Sequence, residues 1–163
     1  VAKIAKELGK IVVLDPAPAR CDLPEELFSN IDIMKPNETE LQTLSSIKLH
    51  SEDDILKGAQ VLLSKGVKNV IVTLGANGSL LVNENGYKKF DALKVEVVDT
   101  TAAGDSFTAG LVNSIVLGKS LEESIKYGHI VSSIVVTRKG AQSSIPTKIE
   151  VQNYIKKMEL SNE

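Results

Sequence analysis

Two carboxylates separated by small residues stand out in the segment VDTTAAGDSF, residues 98–107. Asp99 ends an apolar run that is typical of a strand, and Asp105 opens an apolar pattern typical of a helix. Such a junction aims unpaired backbone N–H groups at one point and favours an anion such as phosphate. Asp105 would repel a bound phosphate. Its presence makes sense if it takes a proton from a hydroxyl while the N–H groups hold a phosphoryl group in transfer.

The commoner role of an aspartate in a first helical turn is to complement the helix dipole, which contributes about 0.3–1 kcal/mol. Here the run Ala102, Ala103 and Gly104 removes side-chain bulk where a phosphate would approach. Asp99 adds a second carboxylate at the end of the predicted strand. This context favours the chemical role of Asp105.

Asn37 and Glu40 have the spacing of a capping box, which is their commoner role. The alternative places both side chains near phosphates, with Glu40 holding Mg²⁺ through a water. The cluster 74–78 (LGANG) is first of all a hairpin turn, and no Gly-Lys-Ser/Thr run follows it as in a P-loop.

The segment Thr137–Gln142 (TRKGAQ) is either a cationic helix end with a glycine stop or a loop whose carbonyls coordinate a cation. His129 lies in the middle of a predicted helix, where a histidine is most often packed or half-exposed. We expect His50 at the surface, and Cys21 in a structural role.

The bulk composition narrows the class of protein. The 163 residues are 42% hydrophobic and 25% charged, enough for one domain with a core. A net charge of -2 provides no electrostatic attraction to nucleic acid or to an anionic membrane. One cysteine allows no internal disulfide and fits a reducing, cytoplasmic compartment. No apolar run approaches the roughly 20 residues that span a bilayer.

Strands and helices are expected to alternate along the chain. The first residues, VAKIAKELGK, indicate a helix already under way, so we expect the later part of a longer protein. The predicted strands are 11–14, 31–34, 70–73, 79–82 and a strand-rich stretch at 88–98. The predicted helices are 38–44, 53–64, 105–117, 121–137 and 149–158. This order predicts an α/β fold with a parallel or mixed sheet, and ligands at the carboxyl ends of the strands.

Several motifs together resemble the PfkB family of carbohydrate kinases, in its ribokinase branch. The segment 99–105 (DTTAAGD) fits the family hallmark, with Ala102 where glycine is commoner. Further matches are DPAPA at 15–19, PNETE at 36–40, VTLG at 72–75 and VTRKGAQ at 136–142. The resemblance implies a three-layer αβα ribokinase-like fold with a mixed, mostly parallel sheet covered by helices. Residues 1–163 would be the C-terminal nucleotide-binding and catalytic portion of the kinase domain.

The resemblance also implies roles for individual residues. Asp105 would bind the sugar and deprotonate its hydroxyl, and an anion hole would be formed by Ala102, Ala103 and Gly104. Gly104 and Asp105 would also contact ATP, together with Asn37, Thr73, Leu74, Gly75, Ala76, Asn77, Gly78 and, near the adenine, His129. Glu40 would help to hold Mg²⁺ through water. A monovalent cation, normally K⁺, would be held at Asp99, Thr101, Val135, Arg138, Gly140 and Ser144.

The implied reaction is transfer of a phosphoryl group from ATP to D-ribose, in the cytoplasm, by a homodimer. The alternatives are another kinase of the family, acting on fructose, a deoxy-sugar acid or a nucleoside, and a non-catalytic nucleotide-binding module. Family members carry an earlier half with a Gly-Gly sugar-recognition motif and a β lid. Nothing in this sequence matches that half, so sugar specificity is not encoded in it.

Overall fold

The computed structural model describes residues 1–160 and divides the chain into two compact units, one formed by Val1–Asp91 and one beginning at Ala92. Among the described residues, no helix has the combination of length and apolar character that a membrane crossing requires.

The first unit is a five-stranded sheet with helices between its early strands. Its helices are α1 (Ala2–Glu7), α2 (Glu25–Phe28), α3 (Glu38–Ser45) and α4 (Glu52–Ser64). Its strands are β1 (Val13–Leu14), β2 (Ile33–Met34), β3 (Asn69–Thr73), β4 (Ser79–Asn83) and β5 (Gly86–Phe90). The strands lie in the order β1-β2-β3-β4-β5, and the first three are parallel to one another. Strands β4 and β5 continue the sheet as antiparallel hairpins, so the predicted mixed sheet is confirmed.

Helices α3 and α4 each begin directly after a residue whose side chain caps the first helical turn. Asn37 and Glu40 form a complete capping box on α3, and the Ser51 hydroxyl accepts the N–H of Asp54 at the start of α4. The core of the unit lies where these helices meet the sheet, and Leu41, Leu62 and Val70 in it are fully buried.

The second unit is helical in its described part. It contains α5 (Ala103–Val116), α6 (Leu121–Val136) and α7 (Lys148–Leu160). Helices α5 and α6 approach closely because glycines face the partner helix. A Cβ atom on Gly128 would lie 3.0 Å from the carbonyl oxygen of Phe107, and one on Gly110 would lie 3.1 Å from the Cα of Gly128.

Two sequence predictions are wrong. The stretch 92–98, expected to have strand character up to the first carboxylate of the hallmark, forms no strand in the structure. Its backbone instead contacts the end of α6, where the N–H groups of Val98 and Asp99 both donate to the carbonyl of Val136. Cys21, expected in a structural role, is exposed, whereas His50 is exposed as expected.

Candidate functional site

The carboxyl edge of the parallel strands places two charged side chains side by side in the first unit. Asp15 follows β1, Lys35 follows β2, and the two strands pair in parallel register. Lys35 Nζ lies 2.7 Å from Asp15 Oδ2, and the lysine side chain is only 5% exposed. The pair, of which the lysine is buried, fastens the two strand ends just ahead of Asn37. Sequence analysis missed Lys35. The available signal was the charged Asp15 directly after an apolar strand, because a charge near the core needs a partner.

The same edge brings Asn37 next to the end of β3. The N–H of Thr73 donates to the carbonyl of Pro36 at 3.0 Å, and Asn37 forms an isolated parallel bridge with Thr73. Asn37 Oδ1 accepts the N–H of Glu40 at 2.8 Å, and Glu40 Oε2 accepts the N–H of Asn37 at 2.7 Å. The capping role is therefore confirmed, and it fixes the exposed Asn37 amide and the Glu40 carboxylate in place. The role of either residue toward ATP or Mg²⁺ stays a prediction.

The predicted nucleotide segment, residues 73–78, consists of the last residue of β3 and the turn that joins β3 to β4. It contains a single 3-10 turn, Gly75–Asn77, and the N–H of Leu74 donates to the carbonyl of Gly78 at 2.8 Å. Gly75 has φ of 56° and Gly78 has φ of 88°, which explains why both positions are glycine. The turn leaves residues 75–77 exposed beside Asn37 at the sheet edge.

An open cleft of about 280 Å³ in the first unit is lined partly by this turn, through Leu74 and Asn77. Its other walls come from the starts of α3 and α4 and from β5, including Glu38, Glu52 and Lys89. Lys89 Nζ lies 2.9 Å from Glu52 Oε2, so these two charges neutralise each other.

In the second unit, Asp99 organises the turn that precedes α5. Asp99 Oδ1 accepts both the N–H and the hydroxyl of Thr101, at 2.9 and 2.7 Å, and Oδ2 accepts the N–H of Gly140 at 3.0 Å. The bond from Gly140, followed by those from Thr101, lowers the pKa of Asp99 to about 2. Asp99 is thus a carboxylate anion at neutral pH and joins the hallmark segment to the loop after α6.

Helix α5 begins without a side-chain cap, at Ala102, which has φ of 62° and ψ of 9°. A left-handed backbone is uncommon for a residue with a Cβ atom and costs about 1–2 kcal/mol. The N–H of Ala103 turns back to the carbonyl of Thr100 at 3.2 Å. Gly104 and Asp105 follow in the first turn, and both are exposed. Residues 104 and 105 at the start of α5 are therefore open to solvent, and the anion-hole role of Ala102, Ala103 and Gly104 stays a prediction.

Two buried polar side chains of the second unit are Ser106, next to Asp105 in α5, and His129 in α6. Ser106 is 2% exposed, and its Oγ has no hydrogen-bond partner within residues 1–160. His129 of α6 is 8% exposed, and its ring meets that of Phe107 edge-on, with centroids 5.0 Å apart. The packed role of His129 is confirmed, and its predicted place near an adenine stays a prediction.

The loop after α6 carries the other predicted cation positions. Val135 is buried in the last turn of α6, and Gly140 has φ of 93°. Ser144 is fully buried in a short 3-10 turn, Gln142–Ser144. Arg138 Nη2 lies 2.7 Å from Glu150 Oε1 in α7. Sequence analysis missed Glu150, although the pattern Thr147-x-x-Glu150 is that of a capping box.

The structure thus gathers the predicted residues into two sets, one in each unit. The first unit holds Asn37, Glu40 and residues 73–78 along one sheet edge. The second unit links Asp99, Thr101 and Gly140 by hydrogen bonds. Within residues 1–160, no group of three or more His, Cys, Asp or Glu side chains could hold a metal ion.

Comparison with known proteins agrees with these motifs. The family model described as pfkB family carbohydrate kinase matches residues 1–148. The chain is 43% identical over 154 residues to the ribokinase of Haemophilus influenzae, covering 94% of this chain and 50% of that protein. The chain therefore spans about half the length of the curated relatives that it matches.

Solved structures give the same result. The ribokinase of Thermotoga maritima superposes with a TM-score of 0.86 at 44% identity, over 95% of this chain and 52% of that one. The Arabidopsis thaliana ribokinase complexed with ribose and ATP superposes with a TM-score of 0.88 at 37% identity, over 96% of this chain and 51% of that one. These likenesses confirm the predicted α/β, ribokinase-like fold. Nine-tenths of the sequence matches one family model, and on that ground the chain belongs to the pfkB family of carbohydrate kinases.

Proposed function

We propose that this chain is the nucleotide-binding and catalytic part of a cytoplasmic kinase that converts ATP and D-ribose to ADP and D-ribose 5-phosphate. The observation that carries the proposal is the open start of α5, where the helix lacks a side-chain cap and Asp105 is exposed in the first turn. The Arabidopsis relative whose structure contains ribose and ATP supports the choice of both substrates.

The start of α5 suits phosphoryl transfer because it combines a dipole with a base. The positive end of the helix dipole and the first-turn N–H groups would stabilise charge on the γ-phosphoryl oxygens. The sugar hydroxyl oxygen would bond to the γ-phosphorus while the bond from that phosphorus to the ADP oxygen breaks. The hydroxyl proton would pass to the Asp105 carboxylate. Such a reaction depends on positioning and charge stabilisation more than on covalent chemistry by the protein.

The nucleotide would use the sheet edge of the first unit. Asn37 Nδ2 makes no hydrogen bond within the described residues, because only the Oδ1 atom serves the capping box. That amide can donate to a phosphate oxygen. The exposed turn of residues 75–77 adjoins it, and we assign the turn to the ribose and phosphates of ATP. His129 is assigned to the adenine.

The residues present fit both metal ions that the family implies. Glu40 uses Oε2 in the capping box, and Oε1 can accept a hydrogen bond from a water of Mg²⁺. Magnesium would neutralise phosphate charge. The K⁺ positions offer oxygen ligands and are drawn together by the bonds of Asp99 to Thr101 and Gly140. Potassium would hold the turn before α5 in shape, and Asp99 and the 138–144 loop would position it.

Two other functions stay open because the chain spans about half of its relatives. One is phosphorylation of fructose, a deoxy-sugar acid or a nucleoside by the same machinery. The other is nucleotide binding without catalysis. A single series of experiments separates all three.

The first experiment is calorimetric titration of the 163-residue chain with ATP and Mg²⁺. The second adds the amino-terminal half of the Haemophilus influenzae ribokinase in trans and measures ADP release with ribose, fructose and nucleosides as acceptors. We expect ATP binding by the chain alone and ribose-dependent ADP release on mixing. Binding of ATP with no turnover on any acceptor would support the non-catalytic function. A preference for fructose or a nucleoside over ribose would replace ribose as the assigned substrate.

Asp105→Asn tests the base within the same assay. We expect turnover in the reconstituted enzyme to fall about 10²–10⁴-fold, because the proton acceptor is lost, while ATP still binds. Asp53→Asn is the matched control, since Asp53 is an exposed aspartate in the first turn of α4. Retained turnover in Asp105→Asn would remove the base assignment.

A further inference from the structure

Glu150 makes two separate sets of contacts through its two carboxylate oxygens. Oε2 accepts the N–H and the hydroxyl of Thr147, at 2.7 and 2.9 Å. The Thr147 hydroxyl in turn accepts the N–H of Glu150 at 3.3 Å, which completes a capping box at the start of α7. Oε1 accepts from Arg138 Nη2 at 2.7 Å. One oxygen therefore starts a helix, and the other holds a residue twelve positions earlier.

Arg138 belongs to the 138–144 loop, which follows α6 and includes the 3-10 turn Gln142–Ser144. The loop is held at Gly140, whose N–H donates to Asp99 Oδ2. Within the loop, the Ser144 hydroxyl donates to the carbonyl of Ala141 at 2.6 Å. The bond to Glu150 is a second attachment, and it is the one that reaches the loop from α7.

Helix α7 is a firm base for this attachment because it packs on α6. Val151, the residue after Glu150, is 3% exposed and forms one apolar cluster with Val131 and Ile134 of α6. Tyr154 and Ile155 pack against the same cluster. The carboxylate that holds Arg138 is thereby fixed relative to the helix from which the loop leaves.

A second capping box in the same unit forms without an arginine partner, so a capping box does not require an interaction like that of Glu150 with Arg138. Ser120 and Glu123 cap α6 with the same pattern of bonds. The other carboxylate oxygen of Glu123, Oε1, lies 3.7 Å from the Nζ of Lys119, which is four residues earlier and directly precedes the N-cap of the same helix. Glu150 differs because its spare oxygen fixes a loop outside its own helix.

We propose that Glu150 is a positioning residue for the monovalent cation, acting by holding Arg138 so that the carbonyl groups of the 138–144 loop keep a binding arrangement. The proposal rests on the proposed function, which assigns the cation to this loop. An ion pair this exposed, with side chains 36% and 43% accessible, adds little to stability, so its role lies in geometry. Residues that orient ligands from behind affect metal affinity about 10–100-fold.

The test uses the 163-residue chain and K⁺ as the probe, with tetramethylammonium chloride keeping the ionic strength constant. The unfolding midpoint of the wild type should rise in a saturable way with K⁺. Glu150→Gln keeps the helix cap, because glutamine also serves in a capping box, but loses the charge that binds Arg138. We expect its apparent K⁺ affinity to fall about tenfold. Glu123→Gln, the matched control, should keep the wild-type affinity.

Hydrogen exchange without K⁺ gives a readout that a merely structural cap would not move. Amides of the 138–144 loop should exchange faster in Glu150→Gln, and in Arg138→Met, than in Glu123→Gln. Equal loop exchange in all variants, or an unchanged K⁺ affinity in Glu150→Gln, would overturn the proposal. No saturable K⁺ effect in the wild type would overturn the cation assignment and this role with it, while the ATP titration judges the nucleotide function separately.

Discussion

The hydroxyl of Ser106 lies inside α5 without a hydrogen-bond partner in the described part of the chain, although the residue is 2% exposed. A buried polar group left unpaired costs about 1–3 kcal/mol. Serine is also a poorer helix former than alanine. The residue next to Asp105 therefore weakens the helix that presents the carboxylate.

We expect Ser106→Ala to raise the free energy of unfolding by about 1 kcal/mol, because it removes the unpaired hydroxyl. Urea denaturation followed by circular dichroism measures the change. Ser114→Ala is the matched control in the same helix, since Ser114 Oγ accepts from Ser124 Oγ at 3.1 Å and both residues are buried. That control should lose about 1 kcal/mol or more. Equal losses in both variants would show that Ser106 has a partner.

Residue-level sequence reasoning succeeded where the neighbours are close along the chain. The capping box of Asn37 and Glu40 follows from local spacing alone, and the structure confirms it. Lys35 and Glu150 were missed because their partners, Asp15 and Arg138, are 20 and 12 residues away. Contacts at that separation depend on the packing of elements, which a single sequence does not specify.

At the scale of elements, the helix predictions held and one strand prediction failed. Apolar periodicity located the five longer helices because each buries a stripe of its surface. The stretch 92–98 has strand-like residues, but Val97 and Val98 are 56% and 49% exposed. Strand propensity needs a paired neighbour to take effect, and here the backbone donors serve the end of α6 instead. Helix α2, with four residues, is too short for a periodic signal.

The contact between α5 and α6 gives a second prediction. Gly128→Ala should lower the free energy of unfolding by about 1–3 kcal/mol, because the new methyl group would meet the backbone oxygen of Phe107 at 3.0 Å. The better helix propensity of alanine offsets about 1 kcal/mol of that loss. Chemical denaturation measures the net effect.

Gly58→Ala in α4 is the control for Gly128→Ala. Its methyl group would lie 3.2 Å from side-chain atoms of Leu41 and Ser45, which can move, whereas a backbone oxygen in a packed helix cannot. We expect a smaller loss there, or a gain. The interpretation fails if Gly58→Ala loses more stability than Gly128→Ala.

At the scale of the whole molecule, acid should weaken the second unit. The pKa of Asp99 is lowered to about 2 by its bonds from Gly140 and Thr101, and that of Glu150 to about 2 by its bonds from Thr147 and Arg138. Both values lie below those of the unfolded chain, so the stabilisation is complete above the unfolded values and is lost as the pH falls through the folded ones.

We therefore expect the urea midpoint of the chain to fall between about pH 4.5 and pH 2. The variant Asp99→Asn should have a lower midpoint at pH 7 and a flatter profile across this window. Glu96→Gln serves as the control, because Glu96 is exposed and makes no hydrogen bond or ion pair among residues 1–160. The wild-type slope in Asp99→Asn would contradict the assignment.

The family match and the fold likenesses extend over nearly the whole chain, yet each relative continues for about as many residues again. Phosphate chemistry can be argued from the residues seen here, because the hallmark segment and the nucleotide turn both lie within them. Sugar choice and the homodimer stay predictions.

The left-handed Ala102 has an evolutionary consequence. Glycine and alanine codons differ by a single base, so one point mutation at position 102 converts a more flexible turn, with glycine, into a more rigid one, with alanine. Alanine narrows the freedom of the unfolded chain at the expense of strain in the folded one. β-branched residues are strongly disfavoured in such a backbone, so the choice among small unbranched residues sets the rigidity of the turn beside Asp105.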